Sequence, residues 1–255
     1  MVVLTGAGLS TACGIPDYRD RDGQWKRSPP IEHREFVAAA AARRRYWARS
    51  FLGWPTVGHA LPGAGHRALA ELEARGRIAL TVTQNVDGLH QKAGSRAVLE
   101  LHGAIGAVIC LDCGRRHDRA NVQEWMRAAN PECAAVATPA PDGDADARDG
   151  AEAGFVVPDC PACGGMLKPD VVFFGDNVPK SRVGAVSAAI DAAAGLLVVG
   201  SSLMVYSGYR FAEQAHRQGK PVMAVNLGRT RADPLLAAKV ERDCGEFLRD
   251  LERIV

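Results

Sequence analysis

No apolar run in the sequence approaches the roughly 20 residues that cross a bilayer, so no stretch reads as a membrane span. An excess of charge is missing too: 31 Lys and Arg stand against 29 Asp and Glu, a formal net charge of +2. That balance provides no broad basic field, which argues against direct nucleic-acid binding. Aromatic residues are scarce at 6% while glycine reaches 27, a profile that suits an α/β protein better than an all-β one. Met1 to Thr5 lack the charged start and long apolar stretch of a secretory signal, so a soluble, intracellular product is expected. The seven cysteines are an odd number. A chain of 255 residues also buries enough core to need no disulfide staples. No internal repeat is visible.

What is present is a rhythm of short apolar runs and helix-like stretches. Val2-Val3-Leu4 enters Thr5-Gly6-Ala7-Gly8 directly, a buried strand feeding a glycine turn. Further strands are expected at 78–82, 98–101, 171–174, 196–199 and 222–225, each followed within three residues by Gly, Asn, Asp or Ser, as at the ligand-binding edge of a parallel sheet. Helices are expected at 35–50, 66–75, 180–194, 209–218 and 233–239. Two segments break the rhythm. Residues 19–62 hold no convincing strand and read as a helical insert. Residues 104–167 carry paired cysteines separated by an Ala/Asp/Gly-rich stretch, 134–154, with too few large apolar residues to order itself.

Cys110-Leu111-Asp112-Cys113-Gly114 and Cys160-Pro161-Ala162-Cys163-Gly164 are two knuckles, each setting two thiolates on one tight turn. Four thiolates close a tetrahedral shell around zinc and leave no open position, so the site reads as one structural ion. A redox pair is the weaker reading, since two knuckles are present and neither opens a clear helix. His117 is expected to be a solvated loop residue, and a zinc deaminase is excluded by the missing H-x-E signature. Cys13, Cys133 and Cys244 carry no evident metal role. His59 and His66 read as surface or helix-start residues.

Gly6-Ala7-Gly8 resembles the opening of a phosphate-binding turn, where small residues let backbone amides approach a pyrophosphate. By itself it is weak: the third fingerprint position is Thr11, and an ordinary strand-to-helix turn looks the same. Other strand ends agree, however. Asp17-Tyr18-Arg19 lie beside the turn; Gln84-Asn85-Val86-Asp87, His102-Gly103, Gly200-Ser201-Ser202 and Asn226 each follow a strand. In a parallel sheet these carboxyl ends converge on one crevice.

This ordered set resembles the sirtuins: Gly6-Ala7-Gly8-x-Ser10, Gly14-Ile15-Pro16-Asp17-x-Arg19, Gln84-Asn85-x-Asp87-x-Leu89-His90, His102-Gly103, both knuckles, Phe174-Gly175, Gly200-Ser201-Ser202-Leu203 and Asn226. The likeness covers nearly the whole chain. Segments 46–55 and 205–211 look most like the class II branch that includes an animal mitochondrial sirtuin. The family's usual helix before the first strand is absent, Asp176 replaces a common glutamate, and Leu227-Gly228 follows Asn226 where others have a bulkier polar pair.

The resemblance implies an α/β fold: a Rossmann-like parallel-sheet, NAD-binding domain from 1–18, 76–103 and 169–255, a helical insert at 19–75, and a smaller zinc-binding module at 104–168 with a flexible loop near 134–156. It implies NAD-dependent removal of acyl groups from protein lysines, yielding nicotinamide and O-acyl-ADP-ribose. Cofactor contacts would come from Gly6, Ala7, Gly8, Ser10, Asp17, Tyr18, Arg19, Gln84, Asn85, Asp87, Gly200, Ser201, Ser202, Asn226 and Cys244. His102 would act as general base on a ribose hydroxyl, with Asn85 and Asp87 orienting the carboxamide and water. An acyl-peptide would enter as an extra strand between 171–175 and 202–206, touching Val172, Phe174, Gly175 and Val205. Tyr46 and Arg49, three apart on one helix face, would hold the carboxylate of a carboxylated acyl group; an Ala/Arg-rich helix also produces such a pair by chance. Longer acyl groups fit the branch as well. Expected partners are acylated proteins or peptides, without nucleic acid or membrane, in a bacterial cytoplasm, or in a mitochondrial matrix for a eukaryotic chain. The alternatives are a protein mono-ADP-ribosyltransferase at the same site, a zinc-ribbon binding module, and a dehydrogenase.

Overall fold

The structure is a computed structural model that describes residues 1–27, 30–133, 138–146, 152 and 154–254. In chain order its elements are β1 (Val2–Thr5), α1 (His33–Ala38), α2 (Ala40–His59), α3 (Ala64–Ala74), β2 (Leu80–Thr83), α4 (Leu89–Lys92), β3 (Val98–Glu100), β4 (Gly103–Cys110), β5 (Arg116–Asp118), α5 (Arg119–Ala129), β6 (Thr138–Pro139), β7 (Ala145–Asp146), β8 (Leu167–Val171), α6 (Lys180–Ala192), β9 (Leu196–Val199), α7 (Tyr206–Arg217), β10 (Val222–Val225), β11 (Ala238–Val240) and α8 (Cys244–Ile254).

Six parallel strands form one sheet in the order β11-β10-β9-β1-β2-β3. Alternation along the strands divides their side chains between two faces. Val2 and Leu4 of β1 pack with Val186, Ile190 and Phe211 from α6 and α7. Val3 points the other way, toward Leu69, Leu72 and Leu248 from α3 and α8. The result is a three-layer α/β/α domain. Its strand order reverses between β1 and β9, and that reversal opens a crevice at the carboxyl ends.

The second lobe has its own core. Phe36, Trp47 and Phe51 of the insert pack on Val108, Val122, Met126 and Leu167 of the cysteine-bearing segment. Helical insert and cysteine module therefore share one hydrophobic cluster. A three-stranded antiparallel sheet, β5-β4-β8, runs through it. Among the described residues, no helix is long and apolar enough to cross a membrane.

Several elements differ from their expected form. The strand placed at 171–174 lies earlier, at Leu167–Val171, and pairs antiparallel with β4 instead of joining the parallel sheet. Residues beyond it continue as an extended edge, with the Val172 amide donating to the His102 carbonyl. The helix expected at 35–50 is two helices broken at Ala39, whose ψ of 117° is extended. At 233–239 a short 3-10 turn with Pro234 in its first turn leads into β11, because Ala238–Val240 pair with β10. Helical periodicity over seven residues cannot outweigh a sheet edge that needs a partner.

Within the stretch expected to be a flexible loop, Thr138–Pro139 and Ala145–Asp146 pair as a two-stranded ribbon. Ala140, Pro141, Gly143 and Ala145 are buried. The order comes from outside the segment: Gly143 packs against Val57 of α2 and Ile105 of β4. Residues 134–137, 147–151 and 153 of that expectation lie outside the described residues.

Candidate active site

A cleft of about 1000 Å³ opens between the two lobes at the carboxyl ends of β1, β2 and β9. Each wall is built from a strand end. The β1 turn contributes Gly6, Ala7 and Gly8; the end of β2 contributes Gln84 and Asn85; the residues after β9 contribute Gly200, Ser201 and Ser202; Asn226 follows β10. Asp17, Tyr18, Arg19, Tyr46, Arg49, Val172, Phe174, Gly175 and Val205 also line the cleft.

The glycines of the β1 turn have a packing role that the phosphate-turn reading did not include. A Cβ on Gly6 would come within 2.7 Å of the Ser201 Cβ, and one on Gly8 within 3.0 Å of the Gly200 carbonyl oxygen. The Gly6 and Gly8 amides already donate to the carbonyls of Val199 and Gly200. Glycine here lets two strand-end loops touch, and that contact forms the floor of the cleft.

His102 sits where β3 gives way to β4. Its Nδ1 lies 2.9 Å from the Gln84 carbonyl oxygen, which only accepts, so Nδ1 carries the proton. The lone pair is therefore on Nε2, 2.8 Å from the Ser207 hydroxyl, which donates to it. Burial pushes the imidazole below its usual pKa; the Gln84 hydrogen bond opposes this and the Arg182 cation adds to it. The ring is accordingly a neutral base with its acceptor nitrogen held in a defined direction.

Asn85 and Asp87 are not equivalent. The Asn85 amide lines the cleft and donates to the Gly6 carbonyl at 3.1 Å and to Ser10 Oγ at 3.0 Å. Ser10 in turn donates to Asp87 at 2.7 Å, and the other Asp87 oxygen accepts from the Leu89 amide. Ser10 and Asp87 thus stand behind Asn85 and orient it, off the cleft wall. Cys244 is also off the wall: its thiol is packed in the core, donates to the Val225 carbonyl, and is pushed up to about 12, mainly by burial.

Some residues of the site carried no readable signal. Ser207 is one hydroxyl among many in the sequence, and only the fold sets it on His102. Trp25, which lines the cleft, meets Tyr18 and Phe174 edge-on and lies under the Arg19 guanidinium at 3.8 Å. Asp142 and Asp144 reach the cleft from the ribbon. Among the described residues, two that are not glycine have positive φ, Asp142 at 54° and Leu203 at 53°. Both line this cleft, and each such conformation costs on the order of 1–3 kcal/mol.

Behind the cleft, His66 and His90 stack edge-on at 4.9 Å between centroids. His66 lies in the first turn of α3, accepting from the Gly63 amide, but its ring is buried and not at the surface. Burial pushes the pair down to about 4 and about 3.

The four knuckle sulfurs all lie within 4.8 Å of one another. Cys110 and Cys163 are 3.5 Å apart, Cys113 and Cys160 3.9 Å. A tetrahedron of 2.3 Å zinc–sulfur bonds has edges of about 3.8 Å, so the four cysteines are placed to bind one zinc ion. Hydrogen bonds from the Cys113 and Asp112 amides pull the Cys110 thiol down, while the neighbouring sulfurs push the Cys163 thiol up. His117, expected as a free loop residue, lies on β5 with Nε2 3.5 Å from Cys160 Sγ and its ring on Trp125. It is a neighbour of the cluster, and the fourth ligand remains cysteine.

Comparison with known proteins gives a consistent result. Residues 6–207 match the sequence model of the Sir2 family. The chain is 56% identical over 252 residues to an "NAD-dependent protein deacetylase" of Bordetella bronchiseptica, covering 98% of this chain and 92% of that one. A protein of the same description from Xanthomonas axonopodis is 56% identical over 249 residues, covering 97% and 85%. Among solved structures, a Sir2–p53 peptide–NAD+ complex superposes with a TM-score of 0.78 at 30% identity, over 99% of this chain and 92% of that one. A Sir2 bound to acetylated peptide gives 0.76 at 29% identity with the same coverage.

Proposed function

The chain belongs to the Sir2 family, and on that premise we propose that it is an NAD-dependent protein-lysine deacylase, moving the acyl group from lysine to ADP-ribose with release of nicotinamide. The observation that carries this reading is the single acceptor nitrogen of His102, aimed at a hydroxyl in a cleft that Asn85, Arg19 and Ser201 also line. The cleft suits an anionic dinucleotide: Arg210 lines it, and its buried Nε makes no hydrogen bond. When bound, NAD supplies the departing nicotinamide and the ribose hydroxyl that receives the acyl group.

The chain's own part follows from the geometry. Asn85 is held by the Gly6 carbonyl and Ser10, with Asp87 fixing Ser10, so its amide meets substrate in one orientation. His102 takes a proton at Nε2 from a hydroxyl presented to it, and Ser207 occupies that place until then. General-base help of this kind contributes roughly 10²- to 10⁴-fold. An acyl-lysine peptide would lie along the extended edge at 172–175, opposite Val205, through main-chain hydrogen bonds. Zinc, held by Cys110, Cys113, Cys160 and Cys163, has no open position and serves the fold.

The acyl range is read more widely than acetyl. Tyr46 and Arg49 line the insert side of the cleft, where an arginine fork released from its own partner Asp144 suits a carboxylated acyl group, and the space accommodates longer chains. The 46–55 and 205–211 segments support the class II branch. A bacterial cytoplasm is the proposed location, consistent with the bacterial relatives.

A panel of acyl-lysine peptides incubated with NAD tests the reading by following nicotinamide and O-acyl-ADP-ribose together. Both should form in equal amounts, and His102→Ala should lower turnover by about 10²- to 10⁴-fold. ADP-ribosylated protein in place of O-acyl-ADP-ribose would favour the transferase alternative instead.

A further inference from the structure

The insert side of the cleft already contains a carboxylate, and it belongs to the chain. Arg49 Nε and Nη2 donate to Asp144 Oδ1 and Oδ2 at 2.8 and 2.7 Å. This is the two-point fork that a guanidinium makes with any carboxylate, including one at the end of an acyl chain. Both residues line the cleft, and neither is sealed: the side chains are 31% and 40% exposed.

The ribbon that delivers Asp144 has a seat made for it. Gly53, inside α2, is where a helix would ordinarily favour alanine by about 1 kcal/mol, yet a methyl there would collide with the carbonyls of Gly143 and Asp144. The next acid along, Asp142, accepts a hydrogen bond from the Tyr18 hydroxyl and keeps a left-handed φ of 54°. Three separate features, a helix glycine, a tyrosine hydroxyl and an arginine fork, therefore fix one short turn against the cleft. None of them is required by the chemistry at His102.

Resting on the deacylase reading above, we propose that Asp144 is a specificity-determining residue. It holds the Arg49 fork as an internal stand-in for a substrate carboxylate. The cleft as folded then takes acyl groups with uncharged ends, and a carboxylated acyl-lysine is accepted only as Asp144 leaves the fork. One face of a guanidinium forks with one carboxylate at a time, and an incoming carboxylate meets Asp142 and Asp144 together. The partial exposure of the pair keeps the exchange possible without unfolding the ribbon.

The test compares wild type, Asp144→Asn, Arg49→Met and the double variant on succinyl-lysine and acetyl-lysine peptides of one sequence. With NAD, the succinyl-to-acetyl ratio of kcat/KM should rise in Asp144→Asn by roughly tenfold, the scale of one charge-assisted hydrogen bond. That gain should vanish in the double variant. Equilibrium binding of the succinyl-lysine peptide reads the same contact without turnover and should tighten in Asp144→Asn only while Arg49 is present. An unchanged ratio with unchanged binding, or a gain that survives loss of Arg49, would overturn the proposal. Tighter binding without turnover of either peptide would uphold the Asp144 contact while removing the deacylase reading.

Discussion

A histidine works as a base through whichever ring nitrogen keeps its lone pair, and at His102 a backbone carbonyl makes that choice. The Gln84 oxygen fixes the proton on Nδ1, and Nε2 faces the cleft. Because burial lowers the imidazole pKa, the active neutral form prevails at neutral pH and is lost only as pH falls through the lowered value. The acid limb of a kcat/KM profile should therefore inflect below the ordinary 6.5, and Arg182→Gln should move it upward by removing a nearby cation. A limb at or above 6.5 in the unaltered protein would contradict the buried neutral imidazole. His102 itself was legible, since a histidine after a strand end is a local pattern. Its partner Ser207 was not, because 105 positions separate them and only the meeting of α7 with the β3–β4 junction brings them together. Asp87 was recognised as part of the constellation, yet a motif does not say which of its members faces the ligand; Ser10 stands between Asp87 and Asn85.

Among the elements, the 138–146 ribbon shows how composition misleads. Alanine, aspartate and glycine supply little apolar area, so the segment by itself has few reasons to order. It orders on a template: Val57 and Ile105 cover Gly143, and Gly53 leaves room for the chain to lie on α2. In an isolated helix Gly→Ala stabilises by about 1 kcal/mol; here the added methyl strikes the ribbon backbone. Gly53→Ala should then speed proteolytic cutting within 138–146 while leaving the parallel sheet's thermal transition in place. Equal protease resistance in variant and wild type would mean the ribbon does not depend on that seat. The reassigned strands teach the same point. Leu167–Val171 and Ala238–Val240 are too short for periodicity to fix, and their neighbours β4 and β10 decide what they become.

Across the whole molecule, the cysteine cluster and the cleft lie at opposite ends of the same strand. β4 begins at Gly103, beside His102, and ends seven residues later at Cys110; β8 begins beside the second knuckle and leads to the cleft edge at Val172. Seven steps of strand span at most about 23 Å, so the metal cannot reach the chemistry and acts by holding the frame. One zinc per chain is expected by metal analysis, and Cys113→Ser or a strong chelator should lower both metal content and Tm, with activity lost in parallel as the cleft edge loosens. Full activity and unchanged Tm after complete metal removal would separate the cluster from the fold.

The sequence by itself determined five strands of the parallel sheet, the glycine turn, the paired knuckles and the residue types at each strand end, because strand periodicity, tight turns and metal spacing are short-range constraints. Tertiary structure alone decided which of those residues face the cleft, which nitrogen of His102 is basic, and that Arg49 has Asp144 as a partner 95 positions away. Those contacts join segments whose separation carries no local pattern, and they form only when two packed lobes fix the distance between them.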